Sequence, residues 1–93
     1  MYLIAMYDIT LNEGGQRRLS KILKLFRQYL HHTQKSVFEG EISVAKFSEL
    51  KYKTTQIIDK NADYVLFFTV PNNKNIIKEC FGVDFDATAN ILD

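Results

Sequence analysis

A length of 93 residues, an apolar fraction of 46% and a formal charge of +1 predict one small globular domain and exclude a disordered chain. Because the charge is nearly balanced, any surface for nucleic acid must be a local basic patch. The single cysteine, Cys80, excludes an intrachain disulfide and a zinc site built from thiols. The opening residues lack the features of a signal peptide, and no apolar run approaches the roughly 20 residues of a membrane span. We therefore expect a cytoplasmic protein with no membrane partner.

The first predicted strand, residues 1–8, is apolar on both faces and ends on the carboxylate Asp8. This pattern is typical of a strand that is buried on both sides. Asp8 stands where the strand leaves the sheet, a rigid position beside a loop that leaves room for a ligand. It is therefore our candidate catalytic residue. The alternative is that its side chain only starts a turn or caps the following helix.

The second predicted element is a helix within residues 12–30, where apolar residues recur at intervals of three or four. Two caps compete for its start: a capping box of Thr10 with Glu13, and Asn12. Two consecutive glycines at positions 14 and 15 weaken the first turn by about 1 kcal/mol each relative to alanine. We interpret this pair as a place where the backbone can move or come close to a ligand.

Basic side chains lie mostly off the apolar stripe of this helix. A basic helix face is usually only a solvated surface, and that remains the alternative here. Arg17 and Arg18, however, belong to the first turns, on the side of the helix near Asp8, and Lys21 follows one turn later. We therefore consider all three as candidate phosphate contacts.

Residues 31–41 predict a β-hairpin, with a strand at 33–38, a tight reversal at Glu39 and Gly40, and a short partner strand. His31 and His32 are adjacent, so on an extended chain they point to opposite faces and cannot readily share a metal ion. We interpret them as a loop feature whose candidate role is contact with phosphate.

The remaining sequence predicts a second helix, which begins at the cap Ser43 and ends near residue 59. Its inward face comprises Phe47, Leu50, Thr54, Ile57 and Ile58. Residues 64–70 form another strand that is apolar on both faces, and Pro71 closes it. Residues 76–83 are a candidate for one more short strand, around Cys80 and Phe81.

The order of these elements predicts an α+β, ferredoxin-like βαββαβ fold in one domain, with its core at residues 1–70 and a C-terminal strand extension at 71–93. Both helices of such a fold cover the same face of the sheet, although the two longest strands are apolar on both faces. The residues that we expect on the uncovered face, Leu3, Ala5, Leu66 and Phe68, are too uniformly apolar for a sheet that stacks RNA bases. We therefore expect a homodimer, packed sheet to sheet.

Two segments of the chain resemble the CRISPR-associated protein 2 family. They are Tyr7-Asp8-Ile9 and the segment Gln-Lys-Ser-Val-Phe-Glu-Gly-Glu at residues 34–41, and the likeness extends to about residue 70. The resemblance implies a homodimer whose C-terminal strands pack on the partner's sheet. It also implies a scaffold between integrase dimers that binds double-stranded protospacer DNA during spacer acquisition.

The resemblance further implies that Asp8 is the family's metal-binding acid. In that arrangement it faces Asp8 of the partner subunit across the two-fold axis, and the pair holds one Mg²⁺. Many members are described as magnesium-dependent nucleases that act on RNA or double-stranded DNA. A single carboxylate is a poor magnesium site, whereas two facing carboxylates with waters and phosphate oxygens provide the oxygen ligands that the ion requires.

Nucleic-acid contacts are also implied by the resemblance. Basic positions early in the family's first helix match Arg17 and Arg18, and the family's aromatic position matches Phe38. Several members carry an arginine just before the second matching segment, where this chain has His32. The full set of candidate contacts is Tyr7, Arg17, Arg18, Lys21, His32, Lys35 and Phe38.

The sequence is compatible with two functions of different classes. The first is a DNA-binding structural subunit of the spacer-integration complex, which requires the basic surface and the C-terminal partner contacts. The second is a metal-dependent nuclease, either of the same family or like the toxin ribonucleases of the virulence-associated type D group, which requires Asp8 and a divalent ion. The segment at residues 34–41 favours the CRISPR-associated family over the toxin group.

Overall fold

The computed structural model describes residues 1–71 and 76–82, and its elements follow the predicted order. They are β1 (Tyr2–Asp8), α1 (Gly15–Arg27), β2 (His31–Gln34), β3 (Val37–Glu41), α2 (Val44–Ile57) and β4 (Tyr64–Val70). The four strands form one antiparallel sheet in the order β2-β3-β1-β4. The predicted α+β, ferredoxin-like fold is therefore confirmed, and the bounds of β4 are those predicted. Within the described residues, neither helix is long and apolar enough to cross a membrane.

The hydrophobic core lies between the sheet and the two helices. Ile22 and Phe26 of α1 and Leu50 of α2 are fully buried, as the helical spacing of their apolar residues predicts. The ring of Phe26 meets that of Phe38 edge to face at 5.5 Å, which joins α1 to β3. The helices therefore cover one face of the sheet only.

The structure corrects the assignment of the uncovered sheet face. Leu3 and Ala5 have no exposed surface because they point into the core beneath the helices, so the prediction that they lie on the uncovered face is wrong. Successive side chains of a strand alternate between faces, and a strand that is apolar throughout gives no sign of which set faces the helices. The residues that alternate with them, Tyr2, Ile4 and Met6, occupy the uncovered face instead.

The hairpin also differs from its prediction. The reversal lies at residues 35–36, and β2 begins at His31, with a register shift between His32 and Gln34. Glu39 and Gly40, which we predicted to form the turn, pair with β1 in the middle of β3. Glycine there indicated a turn, but Gly40 is a buried residue within a strand, next to Leu30.

Helix α1 starts three residues later than predicted, and both predicted caps are wrong. Its N-cap is Gly14, with φ of 81°, and no side chain accepts a capping hydrogen bond there within the described residues. Gly15 packs against the backbone of Thr10, so that a Cβ at this position would lie 2.1 Å from the Thr10 carbonyl oxygen. The close approach that we expected toward a ligand is thus an approach to the chain's own loop. Ser43, by contrast, caps α2 as predicted, because its Oγ accepts a 3.1 Å hydrogen bond from the Lys46 amide.

The C-terminal segment is described only in part. Residues 76–82 contain no strand, although Lys78 reaches Glu39 of β3 with an Nζ–Oε1 distance of 3.0 Å. Residues 72–75 and 83–93, with the end of the predicted short strand and most of the predicted extension, lie outside the described residues. The packing of this extension on a partner therefore stays a prediction.

Candidate functional site

Asp8 is exposed at the end of β1, next to an open pocket of about 430 Å³. Its backbone pairs with Tyr64, the first residue of β4. The lining of the pocket comprises Tyr7, Asp8, Ile9, Leu11, Leu19, Lys35 and Ser36. The fold thus brings Asp8 together with Lys35, a candidate contact that is 27 residues away in the chain. The open pocket is thus bordered by one acidic and one basic residue.

Tyr7 lines this pocket and binds the turn at residues 35–36. Its hydroxyl donates a 2.6 Å hydrogen bond to the Lys35 carbonyl, and its backbone N–H donates to the Ser36 carbonyl at 3.2 Å. Burial raises the pKa of the Tyr7 hydroxyl, and the nearby Arg27 opposes the rise only in part. The hydroxyl is therefore a neutral donor that fixes the turn carrying Lys35 beside Asp8.

Phe38 and His32 lie beneath the same turn. Phe38 is fully buried, and the ring of His32 stacks on it at a centroid distance of 4.2 Å. The Nε2 atom of His32 lies 3.1 Å from the carbonyl oxygen of Lys35. As predicted, His31 and His32 point to opposite faces, one exposed and one buried, but they belong to β2 and not to a loop. In this chain both Phe38 and His32 support the turn, and neither offers a surface to a nucleic acid.

The three candidate cations of α1 separate into two kinds. Arg17 and Lys21 are exposed. Arg18 forms an ion pair with Asp63, with an Nε–Oδ2 distance of 2.7 Å, and only 15% of its side chain is exposed. Lys21 lines a groove between α1 and α2, with Lys53 on the opposite helix, so it is not brought to the Asp8 pocket.

Asp63 is the residue of this region that the sequence did not reveal. Its side chain is completely buried. Burial by itself would raise the pKa of the Asp63 carboxyl, but hydrogen bonds from Arg18 and from the backbone N–H groups of Asp59 and Thr10 outweigh it and hold the pKa below its usual range. The one feature of the sequence that could have indicated Asp63 is its position directly before the apolar run at residues 64–70.

In the part of the chain that the structure describes, no helix or strand covers one side of β1 and β4. This side forms a continuous apolar surface, here called the open face. Residues that pair directly across two strands share a face, and the register of β1 with β4 therefore defines its members. They are Tyr2, Ile4, Met6 and Asp8 of β1, with Tyr64, Leu66, Phe68 and Val70 of β4. Three of them are large and well exposed: 37% for Met6, 62% for Tyr64 and 49% for Phe68. Asp8 thus lies at one end of the open face.

Glu39 adds a charged group beside the open face. It accepts hydrogen bonds from the Tyr2 hydroxyl at 2.6 Å, the Thr33 hydroxyl at 2.9 Å and the Lys78 ammonium group at 3.0 Å. Burial would raise the pKa of the Glu39 carboxyl, but these three hydrogen bonds outweigh it and the pKa is lowered. Burial and the bond to Glu39 in turn raise the pKa of Tyr2 to about 12.

A single chain does not build a complete metal site from the residues described. Among residues 1–71 and 76–82, no three His, Cys, Asp or Glu side chains are grouped so that they could hold an ion. Asp8 contributes one carboxylate only. Magnesium retains several waters and uses one or two carboxylates with phosphate oxygens, so the Asp8 carboxylate fits as one of its ligands, and a second carboxylate would have to come from another molecule.

Comparison with known proteins identifies the family of this chain. Residues 1–76 match the family model described as "CRISPR associated protein Cas2". A protein of Fusobacterium nucleatum named "CRISPR-associated endoribonuclease Cas2" is 40% identical over 99% of this chain and 87% of its own. A Thermotoga maritima protein of the same name is 38% identical over 90% of this chain and 91% of its own.

The fold comparison agrees with the sequence comparison. The crystal structure of Streptococcus pyogenes Cas2 at pH 6.5 superposes with a TM-score of 0.74 at 30% sequence identity, over 87% of this chain and the whole of that one. The family model covers most of the chain, and the relatives cover nearly all of it at more than 30% identity. This chain therefore belongs to the CRISPR-associated Cas2 family.

Proposed function

We propose that this protein is a homodimeric subunit of CRISPR spacer acquisition, which binds duplex nucleic acid and serves as a scaffold for the integrase. The observation that carries the proposal is the open face. Large apolar side chains such as Met6 and Phe68 are exposed along two paired strands, and a contiguous surface of this kind marks an interaction site. A two-fold pairing of identical faces is the commonest way to cover it.

The position of Asp8 connects this interface to chemistry. Because Asp8 belongs to the open face, a two-fold axis near that end would bring it toward Asp8 of the partner subunit. The two carboxylates would hold one Mg²⁺, with waters and phosphate oxygens as the other ligands. When bound, the ion supplies an activated water and neutralises charge on the phosphoryl group. We therefore extend the proposal to magnesium-dependent cleavage of RNA or double-stranded DNA, in keeping with the relatives' name "endoribonuclease".

The exposed cations provide the proposed contacts with phosphate. Lys35 lies beside Asp8 in the pocket, and Arg17 and Lys21 are exposed on α1. Contacts of this kind position a nucleic acid without reading its sequence. Tyr7, His32 and Phe38 act indirectly, because they hold the turn that carries Lys35.

A second candidate function is a metal-dependent ribonuclease that acts alone, as the type D toxin ribonucleases do. The observation that favours it is the open pocket itself, where Asp8 and Lys35 lie together without any contribution from an integrase. The two functions differ in whether they require the Asp8 carboxylate. A scaffold needs its interface and its cations, whereas a nuclease needs the carboxylate.

The test compares Asp8→Asn with Glu13→Gln, a matched change of another exposed acid in the same loop region. We expect Asp8→Asn to abolish magnesium-dependent cleavage of labelled RNA and duplex DNA, because the ion loses its charged ligand. Duplex binding, dimerisation and spacer integration with the purified integrase should persist in both variants. Undiminished cleavage by Asp8→Asn would refute the metal site, and loss of integration in that variant alone would refute the scaffold role.

A further inference from the structure

We infer that Arg18 and Asp63 form an internal clamp that positions Asp8, so that Arg18 is a positioning residue and not a contact to phosphate. The inference rests on the proposed role of Asp8 in metal binding. It concerns the loop that follows β1, residues 9–14, and the start of β4 on the other side of Asp8. We call the pair the Arg18–Asp63 clamp.

The acidic half of the clamp is fully bonded. Asp63 Oδ2 accepts hydrogen bonds from Arg18 Nε at 2.7 Å and from the Asp59 amide at 2.8 Å, while its Oδ1 accepts from the Thr10 amide at 3.0 Å. No part of this side chain is exposed. A buried carboxylate depends on such partners, because a buried charge that loses them is strongly destabilising. Asp63 therefore ties the loop after Asp8 to the connection between α2 and β4.

The basic half reaches the same loop from α1. Nη2 of Arg18 donates to the Thr10 carbonyl at 3.1 Å and to Asn12 Oδ1 at 2.8 Å, and Nη1 donates to the Glu13 carbonyl at 3.4 Å. A planar guanidinium suits this task because its donors form a rigid fork, which a lysine cannot reproduce. Because its donors are directed into the loop and most of its side chain is covered, Arg18 has few N–H groups available to bind a phosphate group.

The clamp binds the loop that follows Asp8 and lies next to the start of β4, the strand that pairs with Asp8. Thr10 is two residues beyond Asp8, and its amide and carbonyl are bound by Asp63 and Arg18, while its hydroxyl donates to the Ala62 carbonyl. Across the sheet, Asp63 directly precedes Tyr64, whose backbone pairs with Asp8. A metal ligand must be held close to its productive geometry by its surroundings. The clamp provides that support to a side chain that is itself exposed.

The first experiment measures binding of Mn²⁺, which prefers the same oxygen ligands as Mg²⁺, from the electron paramagnetic resonance signal of the free ion without substrate. We expect Arg18→Gln and Asp63→Asn each to weaken binding about tenfold, the usual effect of losing a partner that orients a ligand. The loss in the double variant should be smaller than the two single losses combined, because Arg18 and Asp63 share one ion pair. Phe47→Leu, a core change away from this loop, is the control for general loss of stability and should bind as the wild type does.

The second experiment separates positioning from phosphate contact by the salt dependence of duplex binding. Each phosphate contact contributes about 0.9 to the slope of log affinity against log salt on double-stranded DNA. Arg17→Gln should reduce this slope, whereas Arg18→Gln should leave it unchanged. Arg18→Lys keeps the charge but loses the fork, so it should weaken Mn²⁺ binding without a change in slope, and it replaces Arg18→Gln if that variant does not fold.

Each outcome decides the inference. If Asp8→Asn abolishes Mn²⁺ binding but the clamp variants bind normally, the inference fails while the proposed metal site stands. If Asp8→Asn has no effect, the metal site is refuted and the positioning role falls with it. Equal losses of salt slope in Arg17→Gln and Arg18→Gln would make Arg18 a phosphate contact and overturn the inference.

Discussion

Replacing Gly15 by alanine tests whether α1 is locked against the loop that follows Asp8. The added Cβ would lie 2.1 Å from the Thr10 carbonyl oxygen and 3.0 Å from its carbon. Thr10 would have to move by about 1 Å to restore normal contacts, although Arg18 and Asp63 bind its carbonyl and amide. Overpacking of this kind costs up to about 3 kcal/mol, and the helix preference of alanine offsets about 1 kcal/mol. We expect a net loss of about 2 kcal/mol in the free energy of unfolding.

Urea unfolding followed by circular dichroism measures this difference. The matched control is Gly40→Ala, where the nearest atom to an added Cβ lies 3.6 Å away, an ordinary contact. We expect this control to change the free energy of unfolding by less than about 1 kcal/mol. If Gly15→Ala were as stable as the wild type, helix preference would outweigh the clash, and the loop would not be locked as described.

Two further predictions concern acid stability and the core. Because the pKa of Asp63 is lowered in the folded state, its stabilising contribution is complete above the ordinary carboxyl pKa of about 4 and is lost as the pH falls through the folded value. Acid unfolding of Asp63→Asn should therefore depend less on pH than that of the wild type. An equal pH dependence in both proteins would count against the ion pair. Phe26→Ala should lower the free energy of unfolding by about 3 to 5 kcal/mol, because the ring is fully buried against Phe38. A loss below about 1 kcal/mol in urea unfolding would show that this core contact is not formed.

The fold was predictable because its signals are local. Helical spacing placed Phe26 and Leu50 in the core, and Ser43 marked the start of α2. The apolar run at residues 64–70 has the bounds of β4 itself. Such patterns depend on neighbours within a few positions, and the structure retains them.

The differences between sequence and structure come from long-range contacts. Leu3 was assigned to the wrong face because a strand that is apolar throughout fits the helices with either set of side chains. Gly40 indicated a turn, although it pairs with Leu3 in the middle of β3. The ion pair of Arg18 could not be predicted, because its partner, Asp63, is 45 residues away in the chain. The position of Asp8 at a strand end could be predicted, but the support around it could not.

Light scattering of the purified protein tests the central claim that the open face joins two copies. We expect a molar mass of about twice 10.8 kDa for the wild type at micromolar concentration. Phe68→Glu should return the mass to that of one chain, because it places a charge in the proposed interface, whereas Tyr52→Glu, a matched change at an exposed aromatic residue of α2, should leave the dimer intact. A wild-type mass of 10.8 kDa across this range, or a dimer that persists in Phe68→Glu, would contradict the account.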